Sequence, residues 1–436
     1  MFKQSLKYLA ISTIILSRTL PTIASCNDEA EPHTQNKIKP EFNIVDLKNS
    51  IIPNIIEFDV EGISADGTTI VGHINRQAFF WTKENGSTIF KYEIPSSNPR
   101  KTISSLFSVN FNGTVFLAGF DLNALSVPIA KPYFLKKNVT KTNCWDKFKP
   151  DPDIYVHDLN VMQGVTAMSG DGKTLVGYDS YYENGARNAA YTYQQGVGKK
   201  ILENLNKGKY GSVALGTNFD GSVAVGYSSD HKNNHNSRAT VWINGAIRSL
   251  GILPPQEIKK ARTHMCFTHS KAIATNHDGS VTIGYCDLGG SGGNLTGFIH
   301  TLQRGIESLG SLNKKGFDSR PKAINWYGNV IVGSSTIGKD KDTGSQQIRA
   351  FIWTPEKGMV SLTDYLKPYL PKGVILEEAT GVSADGSIAI GTGLNLNRRI
   401  FWRAYLPEFK SGDIKFGTDE IANDKPSIKV YQTEAN

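Results

Sequence analysis

Four side chains invite a chemical reading first: His264, Cys266, His269 and Cys286. Two thiols and two imidazoles in one neighbourhood are the donor set of a zinc or copper site. The same cysteines flank a hairpin that turns at Asp278-Gly279, one before its first strand and one after its second. Folding that hairpin brings Cys266 and Cys286 near to cross-strand partnership, which in an oxidising compartment leads to a disulfide. Free thiols are the third outcome, and the three stay open at this stage. Gly289-Gly-Ser-Gly-Gly293 matches a nucleophile elbow, but that device needs a strand before it and a helix after it. Here it lies between strands and reads as a flexible loop. Asp340-Lys-Asp-Thr-Gly344 begins like a calcium loop, yet Phe351 stands where the bidentate Glu belongs. No paired carboxylates and no nucleophile–base spacing appear, so the sequence assigns no catalytic residue, no metal ligand and no cofactor.

Arginine is the other residue type with a pattern. Arg76, Arg187, Arg238, Arg349 and the pair Arg398/Arg399 each stand just before an aromatic strand in one of five similar units. Entering their strands from one face, they would form a ring of guanidinium groups able to grip carboxylate or sulfate bidentately. The competing reading makes each a structural ion pair within or between units.

The units that position these residues recur along the chain. Asp66-Gly67, Asn112-Gly113, Asp171-Gly172, Asp220-Gly221, Asp278-Gly279, Tyr327-Gly328 and Asp385-Gly386 mark successive hairpin turns. They follow one another at a period of roughly 50 residues, the signature of a repeat architecture. After each turn comes a branched run closed by glycine, as in Val223-Ala-Val-Gly226 and Val281-Thr-Ile-Gly284. An aromatic strand follows, such as Ala78-Phe-Phe-Trp81, Ala239-Thr-Val-Trp242 or Ala350-Phe-Ile-Trp353, and then a fourth strand such as Arg248-Ser-Leu-Gly251. Four strands per unit describe a propeller blade. The last unit stops at its third strand, Phe401-Trp402, while an unclaimed strand, Phe42 to Leu47, precedes the first hairpin. The expected fold is therefore all-β: a seven-bladed β-propeller of four-stranded antiparallel blades, closed by the N-terminal strand completing the last blade, so that no sheet edge is left open. The repeated aromatics are expected to pack blade on blade. The turn aspartates are expected to cap turn backbone rather than bind metal.

Asp-Gly turns and third-to-fourth turns share one, mostly regular, face. Its exception is an insertion from Lys137 to Pro152 carrying Cys144 and Trp145. Second-to-third loops and connections between blades fall on the other face and vary widely in length. Variable loops on a rigid scaffold are where ligand contacts concentrate.

Residues 1–25 read as an export signal: Lys3 and Lys7 lead an apolar run from Tyr8 to Leu16, and small residues follow at Ala24-Ser25. Ile23-Ala-Ser-Cys26 also resembles a lipobox, which would lipidate Cys26 and tether the chain; ordinary cleavage after Ala24 or Ser25 is the alternative. Residues 26–41 read as a polar tether, 42–408 as the propeller, and 409–436 as a charged flexible tail. After residue 25 no stretch reaches the length of an apolar transmembrane helix, and no series of alternating strands suggests an outer-membrane barrel. The net charge of +8 is spread without a Lys/Arg cluster, which argues against a nucleic-acid partner.

In combination, (Ala/Gly)-x-Ser-x-Asp-Gly-x-x-x-Val-Gly, Arg-x-Ala-Phe-x-Trp and Gly-x-x-x-Leu-Gly resemble the HAF-type extracellular repeat family across roughly residues 42–408. These are exported bacterial proteins, some resembling passenger regions of autotransporters from Gram-negative bacteria. The resemblance implies a propeller shape and a cell-surface or secreted location, and it supplies no catalytic residues. The function expected is a binding or adhesion module whose variable face contacts a protein or glycan of a host or envelope. The alternative is a propeller hydrolase or lyase with acids, His or Tyr converging at the central channel.

Overall fold

The computed structural model describes residues 39–44, 58–83, 86–89, 105–119, 133–136, 164–181, 187–194, 196–207, 211–230, 237–253, 269–287, 295–313, 318–340, 344–396 and 398–411. The chain is an all-β propeller of four-stranded antiparallel blades with almost no helix. Regular helix among the described residues amounts to one turn at Leu362–Tyr365 and a 3-10 turn at Pro407–Phe409. Among the described residues six sheets have four strands, so the expected seven complete blades are corrected to six. The second repeat, Ser105–Val109, Val115–Gly119 and Tyr133–Lys136, forms a three-stranded sheet. Its fourth strand was expected beyond Lys136, where residues 137–163 lie outside the described ones. In the last sheet, Glu41–Ile44 lies antiparallel to Arg398–Tyr405, with Phe42 opposite Ala404. The expected strand reached Leu47; residues 45–47 are outside the described ones.

The turn between first and second strands repeats in atomic detail. The Gly67 amide donates to the Ser64 carbonyl (2.9 Å), and Gly67 alone of the Asp66-Gly67 pair has a left-handed φ, +69°. The aspartate instead caps: Asp66 Oδ1 accepts from Ser64 Oγ (2.6 Å) and from the Thr68 amide (2.9 Å). Asp171 and Asp385 accept from Ser169 and Ser383 in the same way. At Asp220 burial acts to raise the carboxyl pKa, but bonds from Ser222 and Asn218 outweigh it and hold the group below its ordinary value.

A second regularity lies in the inner strand of every repeat. All seven carry a β-bulge at one register, which leaves Glu61, Phe107, Thr166, Leu215, Ile273, Lys322 and Thr380 as the extra residues. None is fully buried. The bulge explains the glycine that closes the second strand: a Cβ on Gly226 would collide with the Val213 carbonyl, and one on Gly284 with that of Lys271. A bulge re-aims a side chain and increases local twist, and here it does so seven times.

Neighbouring sheets are joined through backbone near the turns. Ala65 N donates to Phe111 O (2.9 Å), Phe111 N to Gly170 O (2.8 Å), and Asp171 N to Phe219 O (2.9 Å). The series continues from Phe219 N to His277 O, His277 N to Trp326 O and Trp326 N to Ala384 O, and Ala384 N donates back to Ala65 O (2.8 Å). At the opposite end, inner-strand serines tie sheets together: Ser270 Oγ accepts from Ala239 N (2.8 Å) and donates to Gly251 O (2.7 Å). Between the sheets lie the repeated aromatics, with Trp242 and Trp402 1% and 0% exposed and their indole N–H groups bonded to Glu203 O and Thr392 O. The expectation that they serve packing holds.

The expected tail begins later than residue 409. Phe409 is buried edge-on to Tyr365, with ring centroids 5.2 Å apart, and the Ser411 amide donates to Asp385 O. An apolar ring and a satisfied amide keep 409–411 on the last two repeats. Residues 412–436, and the expected signal, Cys26 and tether through residue 38, lie outside the described residues.

Candidate functional site at the channel

The residue just before each turn pair faces its counterparts from the other repeats: Ala65, Phe111, Gly170, Phe219, His277, Trp326 and Ala384. Where these are large, their rings meet. Phe111 lies 4.7 Å from Trp326 and 5.5 Å from Phe219, Phe219 lies 5.1 Å from Trp326, and His277 stacks on Trp326 at 4.4 Å. Phe111 belongs to the second repeat and Trp326 to the sixth, so the contact spans the channel rather than one blade interface. The small residues in the other repeats leave room for it. Four aromatic rings thus plug the channel at the Asp-Gly end.

Toward the opposite end the first and second strands of the repeats carry titratable groups. The residue following the closing glycine is His73, Tyr178, Tyr227 or Tyr285 in the first, third, fourth and fifth repeats, and each is half-buried. Tyr227 lies close enough to both Tyr178 and Tyr285 for mutual electrostatic influence, and burial raises its pKa. Burial likewise raises that of Tyr285, against the opposing pull of Arg320 and Lys322. The phenols of Tyr227 and Tyr285 therefore stay protonated and can donate at neutral pH. Lys271 Nζ sits 4.7 Å above the Tyr227 ring, bridging the fourth and fifth repeats.

The remaining arc is charged. Lys322 Nζ and Glu378 Oε1 pair at 3.0 Å between the sixth and seventh repeats. In the first repeat Asp59 faces His73 across the strand pair, and Glu61 is the bulge residue. His73 Nε2 is 3.9 Å from Asp59 Oδ2, and its Nδ1 is 3.9 Å from Glu61 Oε1 and 3.5 Å from Ser105 Oγ of the second repeat. Desolvation, then the neighbouring Asp59, push the Glu61 carboxyl up to about 6. The mouth thus carries three tyrosines on one side and an acid–imidazole–lysine arc on the other.

The residues singled out from sequence are placed as follows. Arg238 pairs with Asp230 at 3.1 Å, both half-buried. Arg399 lies 3.8 Å from Asp59, over the Phe58 ring at 5.2 Å, and is half exposed. Arg349 donates to the carbonyl of Ile348 (2.8 Å), and Arg398 is exposed. Arg76 is exposed in a tight turn where both it and Asn75 have positive φ. Arg187 opens its strand opposite Tyr181. Two of the arginines are thus held by carboxylates. Among the described residues Cys286 has no disulfide partner; it is 1% exposed, and burial pushes its thiol up to about 11. Its cross-strand partner is Ser270, whereas Cys266 and His264 lie outside the described residues. His269 is taken up structurally, with Nδ1 accepting from the Ser237 amide at 3.1 Å. The loop Gly289–Gly293 also lies outside the described residues.

Sequence reasoning missed Asp59, Glu61, His73, Lys322 and Glu378. A signal was present, because residues after the closing glycine and at the bulge recur with the period. Reading it requires knowing that the bulge exists.

Fold and site together define the class: a β-propeller with a channel plugged at one end and polar at the other. No protein-family model matches the chain, and no curated protein matches it either. Among solved structures it is similar to the oligogalacturonate lyase of Vibrio parahaemolyticus, at 10% identity and a TM-score of 0.47, covering 86% of this chain and 99% of that one. It is also similar to a putative TolB from Agrobacterium tumefaciens (10% identity, TM-score 0.37, 80% and 91% covered). A third is the propeller domain of the Trilobed protease from Pyrococcus furiosus (13% identity, TM-score 0.40, 72% and 85% covered). At these scores nothing about activity passes from them to this chain.

Proposed function

We propose that the chain is an exported binding module, a ring of seven repeats of the HAF type, which takes a glycan at the variable-face mouth of its channel. Three things support the ring: the unbroken series of amide–carbonyl bonds through seven turns, the bulge at one register in seven inner strands, and the pairing of Glu41–Ile44 with the last blade. Export rests on the basic, then apolar, then small-residue order of the first 25 residues.

The observation that carries the binding reading is the arc of Tyr178, Tyr227 and Tyr285, with Lys271 over Tyr227 and Arg320 and Lys322 near Tyr285. Half-buried aromatic faces offer stacking surface to sugar rings at little entropic cost, protonated phenols donate to hydroxyls, and cations hold carboxylate or sulfate. The plug behind them makes the channel a blind pocket, so a ligand enters and leaves by the mouth. Arg76, Arg187, Arg238, Arg349 and Arg399, each at or just before the start of a third strand, would extend the contact to a larger glycan or a protein, Arg238 and Arg399 by giving up Asp230 and Asp59.

The test is an array of acidic and neutral glycans together with matrix proteins, probed at low and moderate salt. Binding lost in Tyr227→Ala and Lys271→Ala, with the fold intact by circular dichroism, supports the reading. A blank array, or binding indifferent to both changes, overturns it.

The enzymatic alternative is favoured by one specific observation. Asp59, Glu61 and His73 converge at the same mouth, which is what a propeller hydrolase or lyase requires. Release of reducing ends or unsaturated products from a polysaccharide panel, abolished in Glu61→Gln, would replace the binding reading with that one.

A further inference from the structure

The groups around His73 are close but not bonded to one another. Each imidazole nitrogen is 3.9 Å from a carboxylate oxygen, beyond hydrogen-bond range. One ligand atom from each of Asp59, Glu61 and His73 lies within 4.8 Å of the other two. Donors bound at about 2.1 Å to one cation stand roughly 3–4 Å apart, so small rotations of the side chains would close them on a common centre.

The scaffold favours that closure. Asp59 and His73 are a cross-strand pair, and Glu61 is the bulge residue beside them. At the neighbouring rung, where Gly72 stands opposite Val60, a Cβ would collide with the Asp59 carbonyl, so glycine lets the two strands come this close beside the cluster. Ser105 Oγ, from the next repeat, lies 3.5 Å from His73 Nδ1 and can orient the ring through that nitrogen when Nε2 is the ligating one. Asp59 is about half exposed and Glu61 about a third exposed, which leaves room for waters or a ligand oxygen to complete the coordination.

We propose that Asp59, Glu61 and His73 form a binding site for a first-row divalent cation, of the Mn2+ or Zn2+ kind. Two carboxylates and an imidazole suit these ions; an all-oxygen set would favour calcium or magnesium, and thiolates would favour copper(I). The cation's competitor for Asp59 is Arg399, at 3.8 Å with both side chains about half exposed, which is a weak pair. The site stands on its own geometry and fills whether or not a glycan binds, although a cation there would present open positions to an acidic sugar entering the pocket.

Isothermal titration calorimetry of the chelator-treated full chain with MnCl2, ZnCl2 and CaCl2 tests the proposal. One equivalent of Mn2+ or Zn2+ is expected to bind, with affinity falling at least about tenfold in His73→Gln and in Glu61→Gln. Glu307→Gln, on the outer strand of the fifth repeat and paired with Arg304, is expected to leave it unchanged, and melting curves establish that each variant is folded. No binding, unchanged affinity in both cluster variants, or a preference for Ca2+ over Mn2+ and Zn2+ would each overturn the proposal. Tyr227→Ala separates the two readings: loss of glycan with cation binding retained leaves the metal site standing, while glycan binding by a chain that takes no cation sinks the metal site alone.

Discussion

Phe111 and Trp326 stand 4.7 Å apart although they belong to the second and sixth repeats, which share no strand pairing. Their contact makes the aromatic cluster a tie across the channel as well as a plug.

Trp326→Ala is therefore expected to do two things. It removes a ring that touches Phe111, Phe219 and His277, which should cost about 3 kcal/mol or somewhat less, since the ring is only half-buried. It also opens the Asp-Gly end. Thermal denaturation measures the first effect. An unchanged melting temperature would mean that the rings are not packed as described.

The closing glycines make a sharper prediction. Gly284→Ala places a methyl group against the Lys271 carbonyl and the Phe298 ring. Relief requires undoing the bulge or moving Phe298, at an expected cost of about 2–3 kcal/mol. Gly305→Ala, at a turn glycine with nothing nearby but a positive φ, separates crowding from backbone conformation. Chemical denaturation of both variants should rank Gly284→Ala as the more damaging, and the reverse order would remove the bulge as the reason for this glycine.

Cys286 should be silent toward thiol reagents in the folded protein. Its thiol is buried and raised to about 11, so at pH 8 it is both covered and almost wholly protonated. Iodoacetamide labelling read by mass spectrometry should modify it only after unfolding. Recovery of a Cys266–Cys286 disulfide from native protein, in place of a protected thiol, would overturn this prediction.

The N-terminal strand is expected to matter for stability although it is short and mostly exposed. Deleting residues 41–44 strips the partner from Arg398–Tyr405, including the rung that sets Phe42 against Ala404 beside the Trp402 core. The transition should move down by several degrees while remaining cooperative. Melting identical to the full chain would rule out closure by this strand.

Much of this was legible along the chain. The Asp-Gly pairs, the glycine-closed second strand and the aromatic third strand marked hairpins because turns and alternation are local properties, set within a few residues by backbone sterics and side-chain hydrogen bonds. The N-terminal segment could be proposed as partner of the incomplete last repeat because a repeat makes a missing strand countable, and its described part, Glu41–Ile44, pairs there. What the repeat could not convey was the bulge. It leaves no motif of its own, and its trace is a glycine whose purpose depends on a carbonyl in another strand.

The site belongs to the tertiary structure for the same reason. Asp59 and His73 stand opposite each other only once the hairpin has its register, and Lys322 meets Glu378 only once two sheets are side by side. Phe111, Phe219, His277 and Trp326 look like unrelated turn neighbours until the ring sets their side chains toward one centre. Local sequence determined the strands, the turns and the four-stranded plan of the blades. Which side chains share the channel, and which end of it is open, was decided by contacts between distant repeats that no short stretch of the chain contains.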